Sequence, residues 1–402
     1  MERTDSPIPT KVMTVPWYKR AAVWLGIGIN PASISLGGGL ATVMPFAPLL
    51  PVMVVGAILL TGLAIAQGVS ARRRRQPLGR RAAQTFGLGL GAGVLNLAMA
   101  VGMIGWGGFH NGVSGASAAN LFGLPTWAGS LLIATAVFVL SELGVNRWNA
   151  LMWITTLSAL ALAISALVIT NAQPSWQTGQ PFTLSQALWV IGTIITYAIL
   201  FSLRCPDFTW DLESDADVYK SGLAFLLSLL VGMSVGAILY QTTGNWNLAD
   251  ILAAERSATL GYIFLIIAVA SPLLSGMHSG VLAMQTLLPI NKRFGTAFIC
   301  LTTFILGATR FDRQFLPFLD VLSALLPPAL FIMLVVAWWR PRTSARTALW
   351  AWLAGAVVAL VFKLQGQLLH MPLGALASIG VLYLDTYVNR LLPMEFWFKN
   401  KK

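Results

Sequence analysis

Trp106 and His110 lie four residues apart in the stretch GWGGFHNG (105–112). On a helix that spacing puts both rings on one face, one turn apart. An indole offers a flat apolar face on which another ring can stack. An imidazole donates, accepts and titrates near neutral pH. The pair suits recognition of a flat polar molecule, passage of a proton, or a bond to a neighbouring helix. The chain has only three histidines. His278, in SPLLSGMHSGVLAMQ, sits in another apolar stretch, and His370 is expected at a loop. Asp320 lies in FLDVLSALLPPALF (318–331). A carboxylate in such a setting either couples to protons or pairs with a nearby cation, here Arg313. Asn30 and Ser33, in GINPASISLGGG (28–39), either reach a ligand or cap free backbone.

These groups need elements that hold them at depth, and the composition says what kind. The chain is 56% hydrophobic and 10% charged, against roughly a quarter charged in soluble domains. Apolar stretches long enough to cross a bilayer as helices recur from end to end. The reading is an all-α polytopic membrane protein with about 12 transmembrane helices, its main partner outside its substrate being the lipid bilayer. Spans are expected near 20–43, 47–69, 88–112, 126–144, 148–170, 185–206, 220–241, 259–281, 293–309, 316–338, 347–369 and 372–392. With the N-terminus inside, 22 Lys and Arg fall on the inner side and 3 on the outer, while Lys363 falls within a span. The net charge of +12 is thus positive-inside asymmetry, not a nucleic-acid surface. Both termini are expected in the cytoplasm, and the membrane is expected to be a prokaryotic inner one. Cys205 and Cys300 stand apart and suggest neither a disulfide nor a metal site.

Two spans are irregular. In the first, Pro31 removes a backbone donor and three glycines come at 37–39. Broken backbone at membrane depth is tolerated where it lines an enclosed cavity. The sixth span carries Thr193, Thr196, Tyr197 and Ser202 and ends at Pro206-Asp207. Spans one and six occupy matching places in two five-helix halves, 20–170 and 185–338, with two more helices at 347–392 and tails at 1–19 and 393–402. Paired interruptions of this kind point to a transporter built on inverted repeats, although the second lacks a central Gly or Pro.

The local motifs, in order, resemble the nucleobase–cation symporter-1 family, which includes cytosine permease and the hydantoin transporter. LGIGINPASISLGGGL (25–40) looks like the family's first helix and GMIGWGGF (102–109) like its third. CPDFTW (205–210) is similar to the Pro-Asp-aromatic-Ser/Thr sequence ending helix six, and FLDVLSALLPPALF to helix ten. The resemblance implies a LeuT-type fold, 5+5 inverted repeat plus two, with substrate held at mid-membrane between helices one, three, six and eight.

It further implies that Trp106 stacks on a planar heterocycle and that Gly105, Gly107 and Gly108 leave room for it. His110, Asn30, Ser33 and His278 would bond the ring's polar edge. The family's second aromatic falls on Ala198, with Tyr197 next to it as a replacement. Coupling would be to H+ or Na+, with no other cofactor. Where sodium-coupled members have hydroxyls on helix eight this chain has Gly276 and Met277, and Ser275 and Ser279 would serve only in a shifted register. Asp320 is the proton-coupling candidate. The acidic segment 207–217 is a solvated loop or the partner of the arginines at 72–81 across an inner gate. The implied function is a symporter importing a nucleobase or related heterocycle; the alternative is an uncoupled facilitator. No HExxH, GxSxG or phosphate loop supports an enzyme or an ATP-driven pump.

Overall fold

The computed structural model describes residues 14–142, 148–176, 182–255, 258–339, 343–367 and 369–391. The two tails beyond them, with Arg147, Arg256, Arg340 and Arg342, lie outside the described residues. A helix falls on each expected span. Span one is α1 (Tyr18–Gly28) and α2 (Pro31–Ala41); span two is α3 (Phe46–Arg74), with a short α4 (Leu78–Phe86) after it. Spans three to five are α5 (Leu90–Phe122), α6 (Thr126–Glu142) and α7 (Trp148–Ile169). Span six is divided into α8 (Leu184–Tyr197), α9 (Ile199–Arg204) and α10 (Pro206–Thr209). Span seven is α11 (Asp215–Thr243), after which α12 (Leu248–Ala254) caps the end. Span eight is α13 (Thr259–Ala268) and α14 (Ala270–Leu287), and span nine is α15 (Lys292–Ala308). A 3-10 turn, Phe311–Gln314, leads into α16 (Phe315–Trp338), and α17 (Ala345–Leu364) and α18 (His370–Leu391) complete the chain. Among the described residues, seven helical segments are each long and apolar enough to cross a membrane. The chain is therefore an integral multi-pass membrane protein.

Local chemistry sets the ends. Ser214 and Asp217 form a capping box at the start of α11, and Thr183 with Gln186 does the same for α8. α5 ends at Gly123 and α11 at Gly244, both with left-handed backbone (φ +64° and +68°) that glycine adopts without strain. α5 runs ten residues past its expected end, because Val113 to Phe122 remain small and apolar enough to continue the helix. α3 likewise extends through Arg72–Arg74, whose charges sit at the favourable C-terminal end.

The breaks are where the fold departs from a simple bundle. Between α1 and α2, Ile29 and Asn30 are extended. The three glycines do not make this break. They continue as regular helix, and Gly37 packs against the backbone of Met233 on α11, as Gly236 packs against Ile34. Small residues facing one another let two membrane helices approach closely. In span six the helix breaks at Ala198, whose φ and ψ are −112° and 25°, with neither Gly nor Pro at the break.

Candidate functional site

The two breaks meet. A cavity of about 60 Å3 lies between them, lined among others by Asn30, Trp106, His110, Tyr197, Ala198 and Arg204. Asn30 is fully occupied. Its Oδ1 accepts from the backbone N–H of Ala32 and Ser33, and its Nδ2 donates to the carbonyl of Ile27 (2.8 Å) and to the Tyr197 hydroxyl (3.1 Å). Asn30 is thus both the cap of α2 and a bridge from span one to span six. Ser33 closes the capping box through the backbone of Asn30 and does not line the cavity. Of its two expected places, against a ligand or capping free backbone, Ser33 occupies the cap.

Trp106 and His110 share a face, with ring centroids 5.8 Å apart and planes at 27°. Tyr197 meets the indole edge-on at 5.2 Å, and Phe315 and Phe318 meet it at 5.5 and 6.1 Å. The result is an aromatic box built from spans three, six and ten. His110 is 3% exposed and its Nδ1 has no hydrogen-bond partner. The glycines beside Trp106 do not leave open space. A side chain at Gly105 would strike Phe318, at Gly107 Thr303, and at Gly108 Leu306. They bring spans nine and ten against α5.

Other expected residues lie elsewhere. His278 and Ser279 line a separate 250 Å3 cleft with Lys19, Arg20 and Asp207, not the central cavity. Ser275 borders both and so stands between them. Its hydroxyl donates to the Pro272 carbonyl (3.3 Å). Met277 is buried against Cys300. On span eight the Ser271 hydroxyl faces Gly26 of span one. Asp320 does not line the central cavity and is half exposed, its carboxylate 3.1 Å from Lys363 Nζ. It borders a 500 Å3 cavity with Thr193 and His370, whose Nε2 lies 2.8 Å from the Ser323 hydroxyl. The expected alternative of an Asp320–Arg313 pair is corrected, since Arg313 bonds Asp250.

Both ends of the molecule carry ion-pair clusters. At the basic end, Asp215 receives Arg72 (3.2 Å) and Arg73 (2.8 Å), and Arg72 and Arg75 donate to the carbonyls of Glu213 and Leu212. Asp207 accepts from the Leu78 N–H, Asp211 pairs with Arg20, and a bridge joins Val15 to Leu212. The acidic segment 207–217 is therefore the partner of the arginine run. Just inside this cluster, Arg81 on α4 bonds Gln67 (2.8 Å), and burial together with Arg74 lowers its pKa to about 10. At the opposite end, fully buried Asp312 receives Asn247 (2.7 Å) and Arg310 (2.9 Å), and Arg310 also binds Asp250 (2.7 Å). Burial opposes ionisation of Asp250, but hydrogen bonds and charge from Arg313 and Arg310 outweigh it and hold its carboxyl below the usual range. This network escapes a reading of the sequence, in which Asp250, Arg310 and Asp312 have the look of loop residues, and Arg204, at the inner end of span six, is counted there only as a positive-inside charge.

The sequence matches no family model and no curated protein. Solved structures do match. The chain is 16% identical to Mhp1, a nucleobase-cation-symport-1 family transporter, in a closed conformation with bromovinylhydantoin bound, covering 98% of this chain and 97% of that one at TM-score 0.72. A Na+-coupled sialic acid symporter, substrate-bound and outward-open, is 10% identical over 94% of this chain and 90% of its own at 0.66. MhsT in complex with L-phenylalanine is 14% identical over 93% and 99% at 0.61. These neighbours are membrane transporters rather than enzymes, and the fold of this chain is the LeuT-type fold they share.

Proposed function

We propose that this chain is a secondary active transporter for a small planar heterocycle of the nucleobase kind, working by alternating access. One observation carries the reading. The cavity sits where both helix breaks meet, with Trp106 at its edge and an unpartnered, buried His110 nitrogen beside it. A buried polar atom without a partner is costly unless something fills its place, and a heterocycle's N–H or carbonyl would do so. Tyr197, whose hydroxyl Asn30 holds, lines the same cavity. The hydantoin bound by Mhp1 supports the same class of ligand. At about 60 Å3 the cavity is too small for such a ring, since ligand pockets run from roughly 300 Å3 upward. The site is thus in a contracted form and adjoins a cleft at the basic end through Ser275.

By the positive-inside asymmetry the basic end faces the cytoplasm, with both termini on that side of a prokaryotic inner membrane. Coupling is to protons: Gly276 and Met277 replace the hydroxyls a sodium ion would need, and hard cations require several oxygen ligands. Uptake into proteoliposomes under separate pH and sodium gradients tests this. A pH gradient alone should drive accumulation of uracil, hypoxanthine or hydantoin. Full stimulation by sodium at zero pH difference overturns proton coupling, and equilibration without accumulation overturns active transport.

A further inference from the structure

Arg204 is a buried charge without a counter-charge in contact. It is the last residue of α9, 4% exposed, and lines the same cavity as Trp106 and His110. Its Nη2 donates to the Ser275 carbonyl (3.0 Å), its Nη1 lies 3.4 Å from the Met103 sulfur, and its Nε has no partner. The guanidinium lies over the Phe208 ring at 4.9 Å. Among the described residues none of the ion pairs includes it. Asp207, three residues on, is near enough to act on Arg204 through charge but makes no ion pair with it, and its Oδ1 accepts from the Leu78 N–H. Met103 precedes Trp106 by one helical turn on α5, so the guanidinium touches the residue next to the stacking indole.

Burying a guanidinium is expensive unless it is paired and its donors are met. Arg204 has five donors in a rigid fork that matches a carboxylate. One good acceptor and one sulfur leave most of that fork unfilled.

We propose that the transported heterocycle is an anion. Its ring lies in the aromatic box at Trp106, and an attached carboxylate binds Arg204 through Nε–H and one Nη–H. This rests on the reading of the cavity as the substrate site and narrows the substrate to planar heteroaromatic carboxylates.

Matched probes that differ only in the acid group test it. Orotate and uracil, and nicotinate and nicotinamide, are titrated by calorimetry into the full chain in detergent. The acids should bind about tenfold to a hundredfold tighter than their neutral partners, the range for a charge-assisted bond. Arg204→Gln should erase that difference while Arg204→Lys keeps part of it. Equal affinity for acid and neutral partner, a preference untouched in Arg204→Gln, or no binding of either acid to folded protein overturns the proposal. If Arg204→Gln does not fold, the comparison in the unaltered protein still decides. Uracil binding that depends on Trp106, with no orotate binding, overturns the anionic class and leaves the heterocycle reading intact. Propionate binding as tightly as orotate, independent of Trp106, overturns the heterocycle reading instead.

Discussion

A side chain in this cavity is best judged by its unused bonding capacity. Asn30 spends its amide on the α2 cap and on Tyr197, whereas His110 retains a free nitrogen and Trp106 a partly open ring. Trp106→Ala should therefore weaken binding of a heterocycle about tenfold to a hundredfold, the loss of a stacked and buried aromatic contact, with the protein still folded. Calorimetry on detergent-purified protein checks this. His110→Gln keeps hydrogen-bonding capacity but cannot carry a proton. If the imidazole is the relay, the variant binds substrate and loses stimulation of uptake by a pH gradient. Asn30→Ala acts differently. Loss of a cap costs about 1 kcal/mol, and a bridge between the two broken spans goes with it, so a lower unfolding temperature accompanies any change in transport. The stacking pair is legible in the sequence because four-residue spacing fixes a shared helix face. Ser33 is not, because a hydroxyl three residues beyond Asn30 serves a cap or a ligand equally well until the backbone is seen.

At the scale of elements, the glycines of span three set how helices approach. Gly108 lies against Leu306 and Phe311. Gly108→Val should overpack this crossing and destabilise by about 1–3 kcal/mol, seen as a lower thermal unfolding temperature. A glycine that made room for substrate would instead tolerate valine in stability and lose binding. The first break is readable from Asn30-Pro31, since proline removes a donor and asparagine caps the helix that starts beside it. The second, at Ala198, is nearly invisible. Alanine has high helix propensity and gives no local sign of it. The same holds for span three, whose length is set by the absence of a stop signal before Gly123.

Across the whole molecule, two charge clusters tie the chain together at opposite ends. Asp312 is fully buried and accepts from Arg310 and Asn247, so Asp312→Ala leaves the buried Asn247 amide without its acceptor while Arg310 keeps Asp250, and should cost about 1–3 kcal/mol. Hydrogen exchange at 245–254 should quicken with it. The Asp312 end depends on the Asp250 carboxylate, whose ionised form the flanking arginines favour. Asp250, held below its ordinary value, contributes fully above about pH 4 and loses its contribution only as pH falls through the lower folded value. Between pH 5 and 8 these ion pairs should persist, as exchange rates at those pH values would show. At the basic end the pairs are partly solvated and each is worth little, about 1 kcal/mol at most. Asp215→Asn should leave the unfolding temperature almost unchanged while speeding exchange in 207–217. The asymmetry is hidden in the sequence because Asp250, Arg310 and Asp312 look like loop charges until α12 folds over the turn at 311–314.

The length of α5 has a mechanical consequence. Its 33 residues make a rod about 50 Å long, in a hydrocarbon layer about 30 Å thick. Such a rod must lean or protrude. Trp106 has sixteen helical residues before it and sixteen after, so it marks the midpoint. A rod that leans about its middle moves its ends and leaves its centre in place. Thicker or thinner bilayers should therefore shift the charge clusters at the two ends relative to the surface while the aromatic box keeps its depth.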